Sequence, residues 1–194
     1  ANEAGNDPAA LEKSRRNSRR YALEIAADIS YPTIRVFERL LRWLWTSIYD
    51  GVDIAHTDRL HDVAKDKEVI YVPCHRSHFD YLLLAYICYE QGLHLPHVAA
   101  GINLNLPIVG GILRRGGAFF LRRSFKGNRL YAAVFNSYLH QILKRGHSIE
   151  YFIEGGRSRT GRLLAPKGGM LAMTVSSYIN DSLRPIAFVP INFG

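Results

Sequence analysis

The spacing of apolar residues divides the chain near residue 68. Before that point it has the period of helices. Residues 11–29 and 32–50 are predicted as two helices separated by Ser30-Tyr31-Pro32, with the proline suited to a first helical turn. In the second, Ile34, Phe37, Leu41, Leu44, Trp45 and Ile48 fall on one side, while Arg35, Arg39 and Arg42 lie elsewhere around it. Such a stripe suits packing against a domain body, and a basic, tryptophan-bearing amphipathic helix also suits an anionic membrane surface.

After residue 68 short β-branched runs alternate with longer apolar stretches. Strands are expected at 68–73, 97–101, 118–121, 148–153 and 186–193, and helices at 79–91, 129–144 and 167–179. The alternation predicts an α/β fold, a mixed, largely parallel sheet flanked by helices and preceded by an N-terminal helical segment. We divide the chain accordingly into a helical segment over 1–67 and an α/β domain over 68–194. The chain stops directly after its last strand, which leaves that strand without a following element to pair or cover it. That ending is expected of a piece of a longer polypeptide.

Composition narrows the class. The chain has 194 residues, 47% of them hydrophobic and 22% charged, which is ordinary for a globular domain. Two cysteines, Cys74 and Cys88, make no disulfide framework and point to a reducing compartment. The longest unbroken apolar run, Tyr81 to Tyr89, is far too short to span a bilayer. The formal charge of +8 is concentrated: residues 114–167 hold twelve basic side chains, nine of them arginine, against only Glu150 and Glu154. Arginine presents a permanently charged planar fork suited to phosphate and carboxylate.

The densest chemistry lies in His75-Arg76-Ser77-His78-Phe79-Asp80, where a strand passes into a helix. An aspartate five residues after a histidine can face it across such a turn, hold one tautomer and stabilise the imidazolium. Ser77 is placed to cap the helix. His75, His78 and Asp80 are all zinc-ligand types, but their spacing fits no zinc signature. Cys74 is next to His75, yet strand neighbours point to opposite faces, so both cysteines are expected in the core. Two glycine- and arginine-rich segments follow, Gly116–Arg123 and Tyr151–Arg162. Glycines let a backbone approach an anion while arginines grip its oxygens. Neither segment is a P-loop, and Gly156-Arg157-Ser158-Arg159-Thr160 lacks the last glycine of a nucleophile elbow. Direct transfer, without a covalent enzyme intermediate, is expected.

Together these blocks resemble the glycerolipid acyltransferase family. His75–Asp80 matches its HX4D motif, and Gly117–Arg123, Phe152–Arg159 and Val189-Pro190-Ile191 follow in the family's order. The text around them, including Ala99–Asn105 and Tyr151–Leu164, is most similar to the bacterial glycerol-3-phosphate branch, the PlsB type. The resemblance implies that His75 deprotonates the 1-hydroxyl of glycerol 3-phosphate and that Asp80 orients it. It implies that the acceptor is held by Phe120, Arg123, Glu154, Gly155, Arg157, Ser158 and Arg159, with Glu154 on a hydroxyl or an arginine, and that Pro190 shapes the site near the thioester. Arg122 and Arg162 are left open between structural and surface roles. Acyl-CoA or acyl-carrier protein is implied as co-substrate, with no cofactor and no metal. The cytoplasmic face of the bacterial inner membrane, as a peripheral or monotopic protein, is the implied location. Ala165-Pro166-Lys167 departs from the pattern, which has an acidic residue before the proline.

Two alternatives remain at this stage. One keeps the chemistry with dihydroxyacetone phosphate or a lysophospholipid as acceptor. The other is a non-enzymatic binder of nucleic acid or anionic surfaces, resting on the basic segment alone, whose affinity would fall steeply with salt. The acyltransferase reading expects no nucleic acid, and requires His75, Asp80, Arg123 and Arg159 to gather at one cleft.

Overall fold

The structure, a computed structural model, describes residues 7–180 and 184–193. Its centre is a five-stranded parallel sheet built from β1 (Glu68–Pro73), β2 (His97–Gly101), β3 (Ala118–Leu121), β4 (Ile149–Glu150) and β5 (Ile186–Ile191), in the order β3-β2-β4-β1-β5. Parallel neighbours need crossover connections. Here these carry α4 (Asp80–Glu90), α5 (Val109–Arg115), α6 (Arg129–Lys144) and α7 (Gly169–Asn180). Three helices precede the sheet: α1 (Pro8–Ile25), α2 (Tyr31–Ser47) and α3 (Thr57–Asp66).

Register fixes which side chains share a face, because strand partners point the same way. Ile70 aligns with Ile149. Both pack with Phe119 against Tyr21 and Ile25 of α1 and Tyr131, Phe135 and Leu139 of α6. On the opposite face Tyr71 and Val69 pack on Leu84 and Cys88 of α4, and Ala100, Ala118 and Phe120 pack towards Leu113 of α5. The chain therefore leaves β1 into α4 on one face and leaves β4 for α7 on the other. Ligands collect at such a switch point, beyond the carboxyl ends of the strands.

The structure departs from the sequence expectations in definite places. The first helix ends at Ile25, not near residue 29. Arg114 bonds the carbonyls of Glu24 and Ala26, and the chain beyond runs extended, with Asp28 and Ser30 donating to the carbonyls of Arg114 and Arg115. Thr57–Asp66 and Val109–Arg115 form helices that the apolar spacing does not announce. The fourth strand shrinks to Ile149–Glu150. The last strand is paired after all: β5 runs beside β1 over six aligned positions. On α2, Ile34, Leu41 and Trp45 are buried, whereas Ile48, just past its end, is exposed and an outer row of Tyr31, Val36, Leu40 and Trp43 faces solvent.

Candidate active site

His75 sits two residues beyond β1, and Asp80 opens α4 five residues later. One carboxylate oxygen of Asp80, Oδ2, accepts the backbone N–H of Arg76 at 2.6 Å and that of Ser77 at 2.8 Å. The same oxygen lies 3.2 Å from Nδ1 of His75. An ionised carboxylate only accepts, so this pairing puts the proton on Nδ1 and leaves Nε2 as the free base. Ser77 does not cap the helix: it lies two residues before the N-cap, Phe79, and its hydroxyl accepts the N–H of that residue. The imidazole stacks on Phe152 with ring centres 3.9 Å apart. Burial lowers the His75 pKa from the ordinary histidine value, and this outweighs the opposing pull of Asp80. The ring is thereby kept neutral and able to take a proton.

The backbone of His75 is held from both sides by the loop after β4. Its N–H donates to Oε1 of Glu154 at 3.2 Å, and its carbonyl accepts the N–H of Ser158 at 2.8 Å. The other oxygen of Glu154 accepts Leu164 N–H at 2.8 Å, and Lys167 N–H closes the loop onto the carbonyl of Ile153 at 2.7 Å. The segment 154–167 is thus a ring of backbone tied at its neck, with the buried Glu154 as the knot. Arg157 and Arg159 project from it to either side of Ser158, whose own side chain is buried.

One cleft of about 960 Å³ joins these parts, near the upper end of the range of small-molecule pockets. Its polar end is walled by His75, His78, Arg123, Lys126, Arg157, Arg159 and Lys167. None of the five lysines and arginines there has an ion-pair partner among the described residues. From His75 an apolar arm runs between α2 and α4 over β2, lined by Ile34, Phe37, Leu41, Leu82, Ala85, Val98 and Ala100.

Most of the residues singled out in the sequence meet here, though not all in the expected way. His75, Arg123, Gly155, Arg157 and Arg159 line the cleft, with Asp80 directly behind His75. Phe120 does not line it: its ring is fully buried between sheet and α5, under the guanidinium of Arg114. Pro190 lies on β5, aligned with Val72 and outside the cleft lining. Glu154 and Ser158 sit beneath the surface, and Glu154 holds backbone in place of an arginine. Arg122 also lines the cleft, but its guanidinium is committed to the fold, forked onto Glu24 at 2.7 Å and lying over the rings of Tyr21 and Tyr131. Cys74 and Cys88 are buried, as expected. Among the described residues no three His, Cys, Asp or Glu side chains converge as a metal-binding group. Sequence reasoning missed Phe152, Lys126, Lys167 and the apolar arm. The arm had a signal: α4 carries apolar residues around nearly its whole circumference, more than the sheet alone can cover.

The acyltransferase family profile matches residues 55–194. The chain belongs to the acyltransferase family. It is 61% identical over 183 residues, 94% of its length, to the glycerol-3-phosphate acyltransferase of Pseudomonas paraeruginosa, and covers 22% of that protein. It is 55% identical over its whole length to the enzyme of the same name from Ectopseudomonas mendocina, of which it covers 24%. The chain therefore spans less than a quarter of the length of these curated relatives. Among solved structures, the fold is similar to that of the 1-acyl-sn-glycerophosphate acyltransferase PlsC of Thermotoga maritima. The TM-score is 0.55 at 19% identity, over 82% of this chain and 66% of the other.

Proposed function

We propose that this acyltransferase chain transfers a fatty acyl group from a thioester, acyl-CoA or acyl-carrier protein, to the 1-hydroxyl of sn-glycerol 3-phosphate. The observation that carries the reading is the position of His75. A neutral imidazole with free Nε2 stands where the cationic end of the cleft, five of whose lysines and arginines have no ion pair among the described residues, meets an apolar arm. The cationic end suits a phosphate monoester and the arm suits an acyl chain, which brings an acceptor hydroxyl and a thioester carbonyl together beside the base.

The chemistry follows from that placement. Nε2 takes the hydroxyl proton as the acceptor oxygen attacks the thioester carbonyl carbon. Asp80 offsets the charge that develops on the imidazolium, as general-base pairs do, for a factor of roughly 10²–10⁴ in rate. When the tetrahedral adduct collapses, the carbon–sulfur bond breaks and the imidazolium returns its proton to the leaving thiolate. Lysophosphatidate and free thiol result, and no enzyme nucleophile is needed. The buried Ser158 and Cys74 are not placed to supply one.

Location belongs to the same reading. Among the described residues no helix is long and apolar enough to cross a membrane. The exposed row Val36, Leu40 and Trp43 on α2, with Arg35 and Arg39 beside it, suits peripheral contact with the cytoplasmic face of an anionic inner membrane.

The test is transfer by the full-length protein, with glycerol 3-phosphate, dihydroxyacetone phosphate and a lysophospholipid offered against both thioester classes. Glycerol 3-phosphate is expected to win, and His75→Ala to fold normally yet lose nearly all turnover. Because burial lowers the His75 pKa, its base form persists to lower pH than an ordinary histidine's. The acid limb of the rate profile is therefore expected below about pH 6.5. Preference for another acceptor, or near-normal turnover by His75→Ala, refutes the reading.

A further inference from the structure

The polar end of the cleft holds a cation that no motif assigns. Lys167 closes the loop after β4, its N–H bonded to the carbonyl of Ile153 at 2.7 Å. Its side chain then lies back across Gly155. That glycine has φ +59°, and a Cβ built on it would stand 2.8 Å from Cδ of Lys167 and 3.6 Å from both Cβ and Cε. The stem therefore occupies the space that any other residue at 155 would fill. Lys167 lines the cleft with Gly155, Arg157 and Arg159, and its side chain has no carboxylate partner among the described residues. Glu154, next to Gly155 in the chain, has each carboxylate oxygen on a backbone N–H and makes no ion pair with Lys167.

We infer that Lys167 is a further acceptor-binding residue: laid over Gly155, its ammonium takes the acceptor's phosphate together with Arg157 and Arg159. This rests on the reading above that the acceptor is a phosphate monoester. Such a group carries close to two negative charges at neutral pH and three strong acceptor oxygens. Two arginines on one loop grip it from one bank. A compact ammonium on a stem fixed by Gly155 adds a third donor from the loop's return, where a planar fork is not required. The glycine at 155 then has two reasons to be glycine, its backbone angle and the lysine lying on it.

The experiment uses Lys167→Met in the full-length protein, with Lys167→Arg and Gly155→Ala beside it and thermal unfolding as a check on folding. Lys167→Met is expected to raise the KM for glycerol 3-phosphate about 10–100-fold. Its kcat should stay within about threefold, and the thioester KM should not move. Lys167→Arg restores most of the affinity. In a Gly155→Ala background the Lys167→Met change adds little, because the stem has already been displaced. Calorimetry with inorganic phosphate reads the same site without turnover and should show weaker binding by Lys167→Met. An unchanged acceptor KM, a rise in the donor KM alone, or equal phosphate affinity overturns the assignment. If the unsubstituted protein does not acylate glycerol 3-phosphate, the functional reading fails, and phosphate calorimetry still decides Lys167.

Discussion

A buried carboxylate on a loop whose arginines have no ion-pair partner among the described residues would ordinarily be expected to neutralise one of them; Glu154 does not. Both its oxygens accept backbone N–H groups, one from His75 and one from Leu164. It therefore sets the distance between the base and the arginine loop, and it leaves the cations free for an anion. A glutamine in its place keeps the shape but has one acceptor, and turns an N–H donor against another N–H. We predict that Glu154→Gln loses about 1–3 kcal/mol of stability and lowers kcat by a factor of about ten or more, since a small displacement of a catalytic group is costly. Denaturant titration and steady-state kinetics check both, and wild-type kcat would show that the knot does not position His75. The sequence made Glu154 visible as a residue of interest, but not its role. Its partners are main-chain groups, which leave no trace in side-chain identity.

At the scale of elements, the sequence was most legible where burial is one-sided or complete. β1, β2, β3 and α6 fall where β-branched runs and helical spacing put them, because the sheet and its two faces decide which positions must be apolar. α3 was missed because it buries no residue fully, and α5 because seven residues with two glycines give no period to read. The end of α1 was misjudged because a distant side chain, Arg114, takes its last carbonyls. The sheet's far end holds a prediction of its own. His97 opens β2 there, buried, its Nδ1 without a hydrogen-bond partner among the described residues and its ring 5.0 Å from that of His147. Burial, with a smaller push from His147, brings its pKa down to about 4. Unfolded, it titrates near 6.5. Between those values the unfolded chain binds the extra proton, so stability falls as pH falls through the window. His75 is shifted in the same direction. Unfolding free energy should therefore drop from pH 7 to pH 5, and His97→Gln should remove roughly 2 kcal/mol of that drop. An unchanged pH slope in His97→Gln would rule the histidine out as its source.

For the molecule as a whole, the net charge of +8 divides between structure and site. Arg114 on α5 and Arg122 after β3 fasten α1 to the body of the fold, whereas Arg123, Lys126, Arg157, Arg159 and Lys167 line the cleft without ion pairs among the described residues. A surface spread for nucleic acid would not gather its cations beside a neutral imidazole, nor join them to an apolar arm. That arm makes the sharpest whole-molecule prediction. α4 is apolar on two sides: Leu84 and Cys88 face the sheet, while Tyr81, Leu82, Ala85 and Tyr89 face the cleft and α2. Ala85 is the smallest of these, so a larger side chain there grows into the arm. Because it fills open volume, the strain of overpacking should stay at or below the usual 1–3 kcal/mol. Ala85→Phe is expected to reduce transfer from a long-chain thioester by about tenfold or more, as loss of room for even a methylene or two does in an apolar pocket. Transfer from a two- to four-carbon thioester, which need not enter the arm, should continue, with the KM for glycerol 3-phosphate unmoved. Equal loss for short and long donors would mean that the substitution disturbs His75 through α4. Undiminished long-chain transfer would mean that the acyl chain lies elsewhere.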